Sequence, residues 1–443
     1  MDPTTVFLII VVVGGLLTFV CWLASYHPTP SMQLAQGYAI PRSLRLQHLA
    51  AHGASGSGKS TALLNWAIQD ARAGHGLILI DIKDTMCLDL AAYLPPGAAE
   101  RTILVDLTDT IWPIAFNPFA GVPAARKTLA TGELLSSLKR MYAESWGPRL
   151  EHILRASLQL LLDVPDATLL DLVRLLTDAG YRAWAITQTS NFSVRAFWEQ
   201  EFPAIAGKNG SLSNLESILN KLGVFAYPEL RNIIGQTRRG LDFDRCIAES
   251  RLVLIHAPQG RLGEDVAFFM ASVFLSRFQL AAQARVSLPP QHRKAFYGYF
   301  DEVQNYQTSA LDKLITEGRS MGVGCVVASQ FPEQLPQQLR LALNKNLPYQ
   351  VMAKKSTQGG YTLELTKLQE PNAPDAVRLL YPLLPPSKPN YAQLDAIRQR
   401  SRALLAQPRA EVEREIARRL CHLPNPSHRK DDPRGRDFPL FDP

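Results

Sequence analysis

Residues Leu46–Arg72 read LQHLAAHGASGSGKSTALLNWAIQDAR. A short apolar run, Leu46–Ala50, leads into Gly53-Ala54-Ser55-Gly56-Ser57-Gly58-Lys59-Ser60-Thr61, which fits G-x-x-x-x-G-K-[ST] with one glycine to spare. Gly53, Gly56 and Gly58 let the backbone take positive φ and wrap its N–H groups around a phosphate. The spacing predicts a helix from about Ser60 to Arg72, whose N-terminus points at the same negative charge. Lys59 then reaches the β- and γ-phosphates of a nucleoside triphosphate, and Ser60 supplies an oxygen to Mg²⁺. The competing reading is a flexible Gly/Ser loop. It leaves the apolar run before the motif and the helical pattern after it unexplained.

Such a loop needs a second element to hold the metal and activate water. Ala295–Glu302 reads AFYGYFDE, an apolar strand ending in two adjacent carboxylates. This is the Walker B form: Asp301 completes the Mg²⁺ shell with Ser60, and Glu302 polarises the attacking water. Alone, an Asp-Glu pair at a strand end is a solvated cap; the upstream loop changes its meaning. The next apolar run, Gly324–Ser329, ends in Gln330, whose amide can bond the γ-phosphate or the water. Between the two runs lies Glu317-Gly318-Arg319. Arg319 is either a surface helix residue or a cation that reaches a neighbouring subunit's nucleotide.

Further buried-strand runs flank these: Gly76–Ile82, Thr102–Leu107, Arg251–Ala257 and Pro348–Ala353. They are apolar on both faces and alternate with helical stretches, which predicts an α/β fold with a parallel-rich sheet covered on both sides. Between Pro123 and Gly240 the pattern is helical throughout. Leu150, Ile153, Leu154 and Leu158 repeat at i, i+3, i+4 and beyond. The expected layout is an anchor at 1–27, a linker at 28–44, the first part of the core at 45–122, an inserted all-helical domain at 123–240, the second part of the core at 241–398, and a charged, Pro-rich tail at 399–443.

The anchor is Val6–Ser25, VFLIIVVVGGLLTFVCWLAS, with no charge in it. Roughly 20 apolar residues match the ~30 Å hydrocarbon core. A signal peptide would begin with positive charge, and here only Asp2 precedes the run. Arg42 and Arg45 follow it, which places the N-terminus outside and the remainder in the cytoplasm. No other uncharged run of that length occurs. Five widely spaced cysteines, Cys21, Cys87, Cys246, Cys325 and Cys421, without a Cys-x-x-Cys, argue against a disulfide framework or a zinc site. The net charge of +7 over 443 residues permits contact with nucleic acid without demanding it. Lys139, Arg140, Arg149, Arg155, Lys208, Lys221, Arg238 and Arg239 are candidates for a DNA path; each alone reads as a solvated helix charge.

The order of anchor, GASGSGKST, LILIDIKD, AFNPF, helical insert, VLIHAPQGRLGED, YFDEVQNY and EGRSMGVGCVVASQ resembles the HerA/FtsK superfamily of pumping ATPases. Within it the chain looks most like the coupling proteins of type IV secretion and conjugation. The likeness covers Leu46 to Ala353. It implies a RecA-like core that uses ATP and Mg²⁺, a homo-hexameric ring around DNA in the inner membrane, secretion-channel or relaxosome partners, and a helical domain that reads the substrate. It also implies that Arg319 is an arginine finger in trans. One membrane helix stands where such proteins commonly have two, and residues 354–398 match nothing in the pattern. Two other classes remain open: an ATPase for protein secretion or for phage or pilus assembly that never grips DNA, and a slow signalling NTPase that forms no ring.

Overall fold

The computed structural model describes residues 31–35, 38–206, 215–237, 240–306, 308–347, 349–355, 361–367, 377–381 and 388–421. The expected membrane segment at residues 6–25, the candidates Lys208, Arg238 and Arg239, and the end of the tail from residue 422 lie outside them.

Eleven strands and six of the helices organise these residues. In chain order they are β1 (Ser31–Ala35), β2 (Tyr38–Pro41), β3 (Leu49–His52), α1 (Lys59–Arg72), β4 (Gly76–Asp81), β5 (Thr102–Asp106), α2 (Lys127–Met141), β6 (Leu252–His256), α3 (Glu264–Ala284), β7 (Phe296–Phe300), α4 (Ser309–Met321), β8 (Val323–Ser329), β9 (Tyr349–Lys355), β10 (Tyr361–Lys367), β11 (Val377–Tyr381), α5 (Tyr391–Leu405) and α6 (Arg409–Cys421). Nine strands form one sheet in the order β11-β10-β9-β3-β8-β7-β4-β6-β5. From β9 to β5 every pairing is parallel, and β10 and β11 extend the sheet antiparallel. The mixed sheet is therefore parallel-rich, and β10 and β11 occupy part of the stretch 354–398. β1 and β2 form a separate antiparallel hairpin.

The parallel strands are buried on both faces because consecutive side chains go to opposite sides. Leu77 and Leu79 pack with Leu63, Trp66 and Ala67 of α1. Ile78 and Ile80 join the core that contains Phe274 and Phe278 of α3. That second core runs without a break into the helices between β5 and β6, where the described residues contain no strand. The stacked rings of Phe116 and Phe274, 3.9 Å apart, lie in it. α3 is long and apolar enough to cross a membrane by length and composition, but it is mostly buried between the sheet and the helical segment.

Two expected boundaries move. Residues 28–44 were expected as a linker, yet Met32, Leu34 and Ile40 are core residues, because an alternating pattern is carried between the prolines. The tail expected from residue 399 begins inside α5, and α6 follows it. Leu394, Ile397, Ser401 and Leu405 form the buried stripe of α5, and Val412 and Ile416 are buried in α6. The charges that read as a solvated tail have partners: Arg402 with Asp109 at 2.6 Å, Arg419 with Asp171 at 3.2 Å, and Glu413 with Arg231 at 3.2 Å. Arg42 and Arg45, expected to orient the membrane segment, are also committed to the fold. Each donates to Asp70 at 2.8 Å, and Arg45 is wholly buried, with its guanidinium 4.6 Å above the Tyr297 ring.

Three carboxyl-end loops are tied by one imidazole. His256 has Nδ1 2.9 Å from Asp106 Oδ1 and Nε2 3.0 Å from Asp84 Oδ1. Burial lowers the proton affinity of His256, but the two carboxylates outweigh it and raise its pKa above the ordinary 6.5. Burial pushes Asp106 up, yet the bond and charge of His256 and the Thr108 hydroxyl and amide bring it down to about 2. A histidine with a raised folded pKa contributes stability in full below its unfolded pKa, and the contribution is lost as pH rises through the folded value. His256→Gln should therefore cost roughly 1–3 kcal/mol at pH 6 by urea unfolding. The gap between wild type and variant should narrow as pH is raised towards 8. A gap that stays constant with pH would show that no imidazolium is involved.

Candidate nucleotide-binding and hydrolysis site

Every parallel strand points its carboxyl end to one edge of the sheet, so loops distant in sequence converge there. β3 delivers the loop Gly53–Gly58, and α1 starts at Lys59. Gly56 and Gly58 have φ of 74° and 87°, in the region that disfavours side chains. A Cβ at Gly58 would also lie 2.6 Å from the Tyr361 ring, and one at Gly53 would collide with Ser57 and the Ala353 carbonyl. The Gly53 N–H donates to the Gln330 carbonyl at 3.1 Å, which ties the loop to the end of β8. Ala54, Ser55 and Gly56 form an exposed rim; Ser57 and Lys59 are buried, and Thr61 is half-buried on α1. The Ser57 hydroxyl is buried without a hydrogen-bond partner. An orphan donor inside a loop that also aims the first amides of α1 inward fits a phosphate group.

β7 delivers the carboxylates. Lys59 Nζ lies 3.1 Å from Glu302 Oε1 and 3.7 Å from Asp301 Oδ1. The Ser60 hydroxyl donates to Asp301 Oδ2 at 3.1 Å. The serine and aspartate expected to share a Mg²⁺ are thus neighbours, and both offer the hard oxygens that ion prefers. Glu302 adopts φ 50°, rare for a residue with a side chain and a mark of strain at functional positions. Burial pushes Asp301 above the ordinary carboxylate range, and Lys59 and Lys83 only partly offset it. Burial also pushes Glu302 up, but the Lys83 bond, the Lys59 charge and Gln304 outweigh it and hold it below its ordinary value.

Two side chains that contact the carboxylates escaped the sequence reading. Lys83, on the loop after β4, places Nζ 2.5 Å from Glu302 Oε1 and 3.9 Å from Asp301 Oδ2. It belongs to the quoted stretch LILIDIKD, yet a lysine past a strand end reads as solvated unless the β4–β7 pairing is known. Gln304 donates Nε2–H to Glu302 Oε2 at 2.6 Å. Its only signal was a position two residues beyond the carboxylate pair. β8 lies between β3 and β7, so Gln330, half-buried, ends the strand between the loop and the carboxylates. His52, beside the loop, is held neutral: burial and then Lys59 push its pKa down to about 4, and its ring bonds the Ser329 hydroxyl at 2.8 Å.

Arg319 is not brought to this chain's own site. It is exposed in the last turn of α4, which returns to the amino end of β8 beside His48. The described basic candidates of the helical segment have local partners. Arg149 donates to the Ile205 carbonyl at 3.1 Å, Arg155 pairs with Glu151 at 2.8 Å, and Lys139 pairs with Glu151 at 3.5 Å. Lys221 bonds the Ser217 hydroxyl at 3.0 Å, and Arg140 donates to the Gln304 carbonyl at 2.7 Å.

No protein-family model matches the chain. No curated protein matches it by sequence either. Solved structures do share its fold. The unbound bacterial conjugative coupling protein TrwBdeltaN70 aligns at TM-score 0.56 with 14% identity, over 80% of this chain and 88% of that one. The plasmid coupling protein TrwB in complex with ADP and Mg²⁺ aligns at 0.52 with 15% identity, over 80% and 82%. VirB4 of Thermoanaerobacter pseudethanolicus aligns at 0.50 with 11% identity, over 78% and 91%.

The contacts separate binding from turnover. Lys59→Ala removes a cation from the phosphate site and should weaken ATP binding by about 10–100-fold, a charge-assisted bond being worth ~1.5–3 kcal/mol. Glu302→Gln keeps the shape and loses the base, so binding should hold while kcat drops by about 10²–10⁴. Fluorescent-nucleotide titration and phosphate release measure the two. Normal turnover by Glu302→Gln would move the base to another residue.

Proposed function

We propose that this chain is a membrane-anchored, ATP-hydrolysing motor that translocates DNA or DNA–protein complexes in conjugative or type IV secretion transfer, as a coupling protein does. The observation that carries the reading is the 3.1 Å approach of Lys59 to Glu302 and of Ser60 to Asp301, after strands β3 and β7, which are separated by the strand that leads to Gln330. The fold shared with a coupling protein described in complexes with ADP and Mg²⁺ and with an ATP analogue supports it.

In this reading the loop amides from Ala54 to Thr61 and the Lys59 ammonium hold the triphosphate, and Ser60 and Asp301 hold Mg²⁺. Held there, Mg²⁺ would supply positive charge to the phosphate oxygens. Lys59 leaves its carboxylate partners for the phosphates when nucleotide enters. Glu302, the carboxylate held in its ionised form, then takes a proton from the attacking water, and Gln330 bonds the water or the γ-phosphate. Arg319, exposed in the last turn of α4, completes the site of the next subunit in a homo-hexamer. Residues 6–25 anchor the chain in the inner membrane with the ATPase domain in the cytoplasm, where ATP is available. A fragment lacking residues 1–27 should then be soluble and bind ATP; retention on membranes would place the anchor elsewhere.

The alternative, a motor for protein cargo that does not grip DNA, is favoured by the intramolecular partners of Lys139, Arg140, Arg149, Arg155 and Lys221. ATP turnover with and without DNA separates the two. A DNA motor should be stimulated, and the stimulation should fade between 50 and 200 mM salt, because phosphate contacts release counterions whatever their number; the fall is about 10³–10⁵ in affinity for 6–10 contacts. Turnover indifferent to single- and double-stranded DNA at low salt would leave the protein-cargo reading.

The trans role of Arg319 has its own test. An arginine finger is worth ~10³–10⁵ in rate, so Arg319→Ala and Glu302→Gln should each be inactive. Co-assembled, they should recover activity where an Arg319→Ala subunit, its own Glu302 intact, binds ATP beside a Glu302→Gln subunit that supplies the arginine. A tagged pull-down first confirms mixed rings. Mixed rings that stay inactive would sink the trans assignment, and an Arg319→Ala ring that turns over ATP normally would return Arg319 to the role of a surface charge.

A further inference from the structure

The helical segment touches the hydrolytic carboxylate through two residues. Arg140, in the last turn of α2, donates to the Gln304 carbonyl at 2.7 Å, and Gln304 donates its amide to Glu302 Oε2 at 2.6 Å. The carboxylate fixes the orientation of the Gln304 amide, since only the NH₂ side can face it. The Gln304 amide oxygen is then buried and without a partner. The same helix holds the chain on the far side of the loop. Glu133 of α2, itself buried, accepts from Lys313 at 2.7 Å and from Ser309 at 3.2 Å, both on α4. Ser272 of α3 donates to the Tyr306 carbonyl at 3.0 Å, and the Tyr306 hydroxyl to the Asp301 carbonyl at 3.0 Å.

The loop between β7 and α4 is thus gripped at both ends by the helical side of the molecule, and the grip at Arg140 is the looser one. It borders a cleft of about 120 Å³ lined by residues that include Ser137, Met141, Asp265, Phe268 and Asn305. Arg140 can therefore shift without repacking a core, whereas Glu133, buried against two partners, cannot. A shift at Arg140 moves the Gln304 main chain, and with it the amide that orients Glu302. We propose that Gln304 is a positioning residue for Glu302, and that Arg140 sets its place, so that the rate of hydrolysis follows the place of Arg140 at the end of α2. This rests on the ATPase reading above.

The experiment uses the full-length chain in detergent with ATP and Mg²⁺. Gln304→Ala should lower kcat about tenfold and leave KM for ATP unchanged, the pattern of an interaction made only at the transition state. Arg140→Ala should lower kcat several-fold with the same unchanged KM. Arg140→Lys, which can still donate to the carbonyl, should restore most of it. In the Gln304→Ala background Arg140→Ala should add little, since the two act in series. Thermal unfolding midpoints are read alongside, and Arg140→Met, which keeps the stem and loses the donor, serves if Arg140→Ala does not fold. Wild-type kcat in Gln304→Ala or in Arg140→Ala overturns the proposal. So do losses that multiply in the double variant, or losses that follow the unfolding midpoint. Absence of turnover in the wild-type chain would instead overturn the ATPase reading, and this proposal with it.

Discussion

Lys59 is buried together with Asp301 and Glu302, and none of the three could be buried alone. Removing an ion from water costs several kcal/mol unless an opposite charge stands beside it with good geometry. The sheet supplies that geometry. The lysine comes from the start of α1 and the carboxylates from the end of β7, two strands away. The fold therefore has to hold a helix and a strand in fixed register from the far end. It does so with a second buried ion pair. Asp70, near the end of α1, accepts from Arg45 at 2.8 Å and from the Tyr299 hydroxyl of β7 at 2.6 Å. The helix is thus tied twice, near its end to Arg45 and Tyr299 for structure, and at its start to the carboxylates after β7, where a nucleotide would compete.

That competition separates the two pairs. The Arg45–Asp70 contact is wholly enclosed, and an arginine remains charged under all working conditions. The Lys59 contact opens onto an exposed loop rim, and phosphate oxygens offer its ammonium the same kind of partner. Lys83, partly exposed, is a second cation on Glu302, so the carboxylate would not lose all its positive neighbours if Lys59 turned to a phosphate.

The phosphate loop and the carboxylate pair were legible in the sequence because each is a local pattern. Glycines announce the backbone that Gly56 and Gly58 need, and an apolar run ending in Asp301-Glu302 announces itself. The central strands were legible because two-sided burial requires an unbroken apolar run. What was missed is non-local or masked. Lys83 and Gln304 acquire meaning only from which strands are neighbours and how a loop turns. β1 and β2 were hidden among prolines, although Met32 and Leu34 alternate correctly. α5 and α6 were hidden by charge: a helix with arginines at 398, 400 and 402 reads as solvated until Asp109 and the Ala99 carbonyl are placed opposite. Arg319 was legible as a residue type and as a position in α4, and its exposure agrees equally with a surface charge and with a neighbour's site.

The position of α5 bears on how the chain folds as it is made. β5 ends the sheet and has a paired neighbour on one side only. On the open side α5 lies along it, and the Leu104 N–H donates to the Ser401 hydroxyl at 2.9 Å. Unpaired strand edges recruit strands from other chains. The segment that covers this one leaves the ribosome almost three hundred residues after the strand it protects. Throughout that interval β5 presents open backbone donors and acceptors, and a chain that stops short of α5 keeps them for good. α5 therefore closes an edge that would otherwise recruit other strands, and loss of the carboxyl end harms solubility before it touches any residue of the nucleotide site.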